Sequence, residues 1–229
     1  MKLNIAEEMN GNKYDDTYEK KRVRIIRELI PSVANAQRAL DIACGPGVYS
    51  KILNEKGYTT VGFDISSPDL DEANRSIDNA SFMRMDALHL GFKDNAFDLV
   101  LALEILEHVE NPVFFLDELL RVCKKEGIIV ISTPNKQSLE GLKGKIYEKI
   151  TGKRWVAWDT THKTIFKTKQ LRDILIKKTS IKRIVGYYYI PRIHINIIDA
   201  IFNPLRYLHT YRSPFNLFGF NAIFMVKKL

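Results

Sequence analysis

Between Ala39 and Ser50 the chain reads Ala-Leu-Asp-Ile-Ala-Cys-Gly-Pro-Gly-Val-Tyr-Ser, and few stretches leave a polypeptide so little choice. The apolar opening predicts a short buried strand, the two glycines a tight turn, and Val48 onward the first turn of a helix. Gly45 and Gly47 permit torsions closed to other residues and let a ligand approach the main chain. A helix that opens there offers free N–H groups and the positive end of its dipole. A nucleotide-like ligand follows, and its neighbours decide which.

A dinucleotide fingerprint would carry a third glycine where Ser50 stands. Asp41, at the strand end, would repel a pyrophosphate and suits a ligand bearing an ammonium group. Asp64, 19 residues after Gly45, ends Val61-Gly62-Phe63-Asp64 and is spaced to meet ribose hydroxyls. Asp86 follows Met83-Arg84-Met85, where it would meet an adenine edge. Ammonium, ribose and adenine without phosphate describe S-adenosylmethionine. Ser50 and Asp41 both disfavour a nicotinamide dehydrogenase.

As a set these motifs resemble the class I S-adenosylmethionine-dependent methyltransferases. Asp41 to Gly47 resembles their D-x-[GA]-C-G-x-G turn, with Ala43 where glycine is commoner. Phe97 to Val109, with Glu104, Glu107 and His108, is similar to the F-D-x-V…E-x-x-E-H-V segment of ubiquinone-biosynthesis O-methyltransferases. Ser132-Thr133-Pro134-Asn135 resembles the S-T-P-N after their fifth strand. The likeness covers about residues 10–190. It implies S-adenosylmethionine as cofactor, bound by Tyr14, Asp41, Ala43, Cys44, Gly45, Gly47, Asp64, Ile65, Asp86, Ala87, Leu103 and Glu104. It also places Arg22 with Tyr14 on a leading helix over the methionine end. Some mitochondrial relatives hold a divalent metal on residues matching Glu104, Glu107 and His108; many carry the same letters without one, and no metal is assigned here.

Strand and helix patterns alternate along the first part of the chain. Strands are expected at Ala39–Ala43, Tyr58–Phe63, Ser81–Met85, Asp98–Leu103 and Ile128–Ser132. Helices are expected from Asp16 to Ile30 on a Val23, Ile26, Ile30 stripe, after Gly47, from Ser67-Pro68 with Ser67 as cap, and from Asn111-Pro112. Such alternation means a parallel sheet with right-handed crossovers and ligands beyond the strands' carboxyl ends, where Asp41, Asp64, Asp86 and Glu104 all fall. The resemblance makes this a seven-stranded doubly wound α/β sheet with the last strand antiparallel and helical lid insertions. Within one domain over 1–229, the cofactor-binding core covers 10–134 and a lid-like insertion 135–167, punctuated by Gly141, Gly144 and Gly152 and carrying Trp155 and Trp158. Thr168–Lys178 reads as a helix, and Ile181–Tyr189 and Phe220–Lys227 as the last strands. A basic aromatic insertion fills 190–218, where Ile193, Ile197, Ile201, Leu205 and Leu208 repeat at helical spacing.

Charge is divided unevenly. Residues 1–140 hold 17 Lys/Arg against 23 Asp/Glu, net −6, and residues 141–229 hold 18 against 4, net +14, within a total of +8. The basic half points to an anionic partner such as a lipid headgroup, a phosphorylated carrier or nucleic acid, against the plainer reading of an evenly solvated lysine surface. The 190–218 stretch would touch a membrane peripherally or pack on the sheet or a second copy. No apolar run approaches the ~18 residues of a spanning helix. Met1–Lys21 has no apolar signal core, so a cytoplasmic location is expected, and two cysteines imply no disulfide framework. Cys44 reads as a small buried filler.

Methyl transfer is a displacement at a carbon that the cofactor already activates, so the protein chiefly aligns and excludes water. A hydroxyl acceptor also needs a base, and His162, in Thr161-His162-Lys163-Thr164-Ile165-Phe166, resembles the H-x-x-x-F of relatives and is the candidate, packing being its plainer role. The expectation is O-methylation of a small-molecule, lipid-like or carrier-linked acceptor. Two rivals are a nucleic-acid methyltransferase, for which no N-P-P-Y-type motif is present, and a non-catalytic S-adenosylmethionine-binding protein.

Overall fold

A computed structural model of the chain describes residues 16–35, 37–152, 159–187, 209–210 and 215–229. Its elements run α1 (Asp16–Leu29), β1 (Arg38–Ile42), α2 (Val48–Glu55), β2 (Thr59–Asp64), α3 (Ser67–Ser76), β3 (Ala80–Arg84), β4 (Phe97–Leu103), α4 (Pro112–Val122), β5 (Cys123–Pro134), α5 (Leu139–Thr151), α6 (Thr168–Leu175), β6 (Thr179–Tyr187), β7 (His209–Thr210) and β8 (Asn221–Lys228). Hydrogen-bonded neighbours follow the order β3-β2-β1-β4-β5-β8-β6-β7. Seven of these are the expected strands, and β8 runs antiparallel to β6 as the resemblance implied. The two-residue β7, paired Gly186↔Thr210 and Tyr187↔His209, is an addition inside the 190–218 stretch. The helical reading of Ile193 to Leu208 lies outside the described residues, as do Tyr14, Trp155 and Trp158.

The chain divides into two compact units, one reaching Ala102 and including Val113–Ile129, the other comprising Leu103–Pro112 and Val130–Leu229. In the first, β1 pairs in parallel with β2 (Arg38↔Thr59 to Ile42↔Phe63) and with β4, and β2 with β3 (Thr60↔Ala80 to Asp64↔Arg84). Strands covered on both faces read as continuous apolar runs, and Leu40, Ile42, Leu99, Val100 and Leu101 are all buried accordingly. This register sets the carboxyl ends of β1, β2 and β3 side by side. Helix α2 packs on β1 and β2, and α3 on β2 and β3. In α1 the buried stripe is Ile25, Ile26, Leu29 and Ile30, with Val23 only half-buried; adjacent pairs one turn apart make a wider apolar face than the expected triplet. Ser66, not Ser67, holds the cap position of α3, and Pro68 falls in the second helical place. Arg121 on α4 fastens the chain before β4, donating to the carbonyls of Leu90 and Phe92 (2.8 and 2.7 Å) and to Asp94 and Glu118.

In the second unit β6 and β8 pair from Thr179↔Lys228 to Tyr187↔Asn221, with an irregularity between Ile181 and Arg183. Within the 135–167 insertion α5 forms 13 residues of helix that run through Gly141 and Gly144. Ser138 caps it, its Oγ accepting from Gly141 N at 3.0 Å, and Gly152 ends it at φ 68°. Among the described residues no helix is long and apolar enough to cross a membrane.

Candidate cofactor turn and side-chain network

In the first unit β1 ends at Ile42 and the backbone folds at once: Ala43, Gly45 and Gly47 all take positive φ, at 55°, 52° and 87°. Ala43 therefore stands in a left-handed torsion that costs a residue with a Cβ roughly 1 kcal/mol, which accounts for glycine being commoner in the matching motif. A Cβ at Gly47 would collide with Ile77 and crowd Ala73 at 3.2 Å, so that glycine serves torsion and packing together. A Cβ at Gly45 would meet nothing within 4 Å. Gly45 thus opens onto clear space, which is what a ligand resting on the main chain requires.

Asp64 is clamped to this turn. Gly45 N donates to its Oδ2 and Ser66 N to its Oδ1, each at 2.9 Å, while Cys44 N bonds the Phe63 carbonyl at 3.0 Å. Each carboxylate oxygen keeps acceptor capacity after these bonds. Met85 N donates to the Asp64 carbonyl at 3.1 Å, so the segments after β2 and β3 are tied together. Asp86 is exposed with Oδ1 accepting from Leu88 N at 2.9 Å, Ala87 is half-buried, and Ile65 is an apolar side chain left 56% exposed beside Asp64.

Asp41 is buried, its Oδ2 accepting from Ser50 Oγ at 2.6 Å. Burial, helped by the nearby Asp64 charge and opposed by the Ser50 hydrogen bonds, raises its pKa to about 7. Ser50 is the residue that replaces the third glycine, and its role here had no signal in the sequence beyond that replacement. Burial also pushes the Cys44 thiol well above its usual range, consistent with an inert filler. Arg22 reaches the same unit's α2, its Nε donating to Tyr49 Oη at 2.9 Å and its guanidinium bonding Glu19 at 2.6 Å.

The second unit assembles a different kind of site. Leu103 is buried at the end of β4, and Glu104 follows it at a positive φ of 53°, its amide donating to the Ser132 carbonyl at 3.1 Å. Its Oε1 accepts from Ser132 Oγ at 2.6 Å and its Oε2 from Asn221 Nδ2 at 2.8 Å. Non-glycine residues held in that torsion gather at functional positions. Further along, Lys163 N and Thr164 N donate to the Glu107 carbonyl at 2.7 and 3.1 Å, bringing His162 beside His108, ring centroids 4.9 Å apart. His162 is buried and its Nε2 lies 4.0 Å from Asp159.

Asp159 fixes the proton arrangement. Its Oδ1 accepts from Thr161 N at 2.8 Å and from Thr161 Oγ1 at 2.7 Å. Burial alone would raise the Asp159 pKa, but those two donors and the neighbouring imidazoles hold it below the usual range. With its single proton given to Asp159, Thr161 Oγ1 accepts from His108 Nδ1, 2.9 Å away. Burial and the neighbouring His162 lower the His108 pKa, so the neutral ring keeps its lone pair on Nε2.

The metal set that resemblance places on Glu104, Glu107 and His108 is not the cluster the fold gathers, since the Glu104 carboxylate is turned to Ser132 and Asn221. Glu107, His108 and His162 instead bring one donor atom each to within 4.8 Å of one another. One carboxylate and two imidazoles make a set chemically suited to a zinc-like ion.

A glycine turn open above Gly45, a carboxylate clamped beside it and a buried acid at the end of β1 suit an adenosyl ligand in an α/β domain. Residues 40–131 match the model of the methyltransferase domain family. The chain is 28% identical over 160 residues to the mitochondrial ubiquinone biosynthesis O-methyltransferase of Arabidopsis thaliana, covering 66% of this chain and 49% of that protein. It is 39% identical over 119 residues to the demethylmenaquinone methyltransferase of Clavibacter sepedonicus, covering 49% of this chain and 48% of that one. The chain thus spans about half the length of these relatives. The crystal structure of a Thermotoga maritima S-adenosylmethionine-dependent methyltransferase superposes with a TM-score of 0.66 at 17% identity, over 93% of this chain and 89% of that one, a likeness of fold. These sequence likenesses are to methyltransferases, and the fold is the one shared with solved S-adenosylmethionine-dependent methyltransferases.

Proposed function

We propose that this chain transfers the methyl group of S-adenosylmethionine to an oxygen of a small, lipid-like acceptor of the quinol kind. One observation carries the cofactor half: the Gly45 amide clamps the Asp64 carboxylate beside the open space over that same glycine. Asp64 accepts the ribose hydroxyls with its remaining lone pairs, Ile65 and Asp86 receive the adenine, and Ala87 borders it. Asp41, steadied by Ser50, receives the methionine ammonium, with Ala43 and Cys44 shaping the turn. Leu103 and Glu104 keep their assignment from the resemblance, and the Glu104 carboxylate is oriented within its own unit by Ser132 and Asn221. Tyr14 lies outside the described residues and keeps only its sequence-based assignment.

The paired imidazoles supply the base. His162, the candidate from sequence, is the buried member, and His108 is the one whose Nε2 the Asp159–Thr161 chain leaves unprotonated. S-adenosylmethionine, when bound, would supply the activated methyl carbon and leave as the neutral thioether, and the imidazole nitrogen would take the proton of the acceptor hydroxyl. The names of the relatives, one acting in ubiquinone and one in menaquinone synthesis, support an acceptor of that class. Titration calorimetry tests the reading. S-adenosylmethionine and S-adenosylhomocysteine should both give heat, and Asp64→Ala should weaken each about a hundredfold through loss of charged hydrogen bonds. Undiminished affinity in that variant would remove the basis of the assignment.

A further inference from the structure

Helix α5 is oriented inside out. A surface helix ordinarily turns its apolar stripe to the core. Here Leu139, Leu142, Ile146 and Ile150 are 54, 52, 54 and 78% exposed. At about 100° per residue these four share an arc of roughly 80°, a single outward stripe. Gly141 and Gly144 fall on the opposite side and are the buried ones. A Cβ on Gly141 would run into the Lys136 carbonyl oxygen, so the helix lies against its own unit through bare backbone. Glu148, also away from the stripe, pairs with Lys136 at 3.5 Å.

The flanks of the stripe name its occupant. Lys145 and Lys149 are exposed on its border. Lys136 N bonds the Phe166 carbonyl at 2.8 Å and Thr168 N bonds Asn135 Oδ1 at 3.0 Å, which sets the start of α6 against the start of α5. Exposed Lys167 and Lys169 are thereby added at that end. A second copy seated on the stripe would bring like charges together, whereas an anionic lipid surface meets apolar stripe and lysines at once. We propose that α5 lies in the plane of an anionic bilayer, its four apolar side chains in the headgroup–acyl boundary and its lysines on lipid phosphates. The residues of this surface are other than those of the 190–218 stretch, and the proposal does not rest on the methyl-transfer reading.

Co-sedimentation of the full chain with vesicles tests it. The unmodified protein should pellet with equimolar phosphatidylcholine and phosphatidylglycerol, and far less with phosphatidylcholine alone. The double variant Leu142→Ser/Ile146→Ser should lose about tenfold or more in partitioning. Lys145→Glu/Lys149→Glu should lose less, and added salt should remove the difference between it and the parent. Helix content by circular dichroism and heat of S-adenosylhomocysteine binding check that each variant is folded; should the double variant fail there, Ile150→Ser, at the most exposed position, is read in its place. Equal pelleting of parent and apolar variant overturns the proposal. So does a parent that ignores anionic vesicles, including one that elutes as a dimer which Leu142→Ser/Ile146→Ser dissolves.

Discussion

The two units reach function by opposite constructions. In the first, the proposed binding groups are held chiefly by backbone: Gly45 and Ser66 amides hold Asp64, and the Ser50 hydroxyl on Asp41 is the side-chain exception. In the second, polar side chains hold one another across long stretches of sequence, Asn221 on Glu104 and Thr161 on His108, with Asp159 holding Thr161 locally. A backbone-held site depends on torsions, and few substitutions leave it standing. A side-chain-held arrangement depends on its partners and changes when one of them is exchanged.

That contrast is sharpest at His108. If the proposed base role holds, His108→Ala should lower kcat about a hundredfold with little change in the Kd for S-adenosylmethionine, since that role touches the acceptor proton and not the cofactor. Steady-state kinetics beside calorimetry reads both quantities. A variant that loses cofactor affinity in proportion would merge two roles kept apart here.

A smaller effect comes from Asp41. A carboxyl raised to about 7 binds its proton more tightly folded than unfolded. Its contribution to stability is present below the ordinary carboxylate range and is lost as pH climbs through about 7. Binding an ammonium reverses the preference, so cofactor affinity should rise about tenfold between roughly pH 6 and pH 8, with a proton released on binding. Calorimetry in buffers of different ionisation enthalpy measures that proton. Asp41→Asn should flatten the pH dependence; a slope that survives it would assign the proton elsewhere.

The smallest effect tests the torsional half of the contrast. Ala43→Gly should stabilise the fold by about 1 kcal/mol or less, as a higher denaturant midpoint, because the left-handed torsion at φ 55° no longer crowds a Cβ. A lower midpoint would show that the Ala43 methyl packs more than it strains.

This difference also explains what the amino-acid sequence disclosed. Asp41, Gly45, Gly47 and Asp64 lie within one strand–turn–helix–strand passage, so spacing alone carried them to one rim. The strands of the first unit were legible for the same reason, their apolar runs being continuous. The Glu104–Asn221 contact joins residues 117 apart and the His108–Thr161 contact residues 53 apart, and neither residue pair has a periodicity to announce it. Ser50 looked like a missing glycine and is a hydrogen-bond donor. Helix α5 was obscured because Gly141 and Gly144 act there as packing surface, a use that local propensity reads as interruption.

One consequence follows from the acid beneath the turn. Donor and spent product carry the same amino group, so each would displace the Asp41 proton on arrival and restore it on departure. Mild acidification would therefore loosen both by the same factor, speeding turnover where product escape is slow and starving it where donor is scarce. The turn would then act as a throttle on the whole cycle, set by ambient acidity, and telling fresh donor from used would fall to whatever surrounds the sulfur.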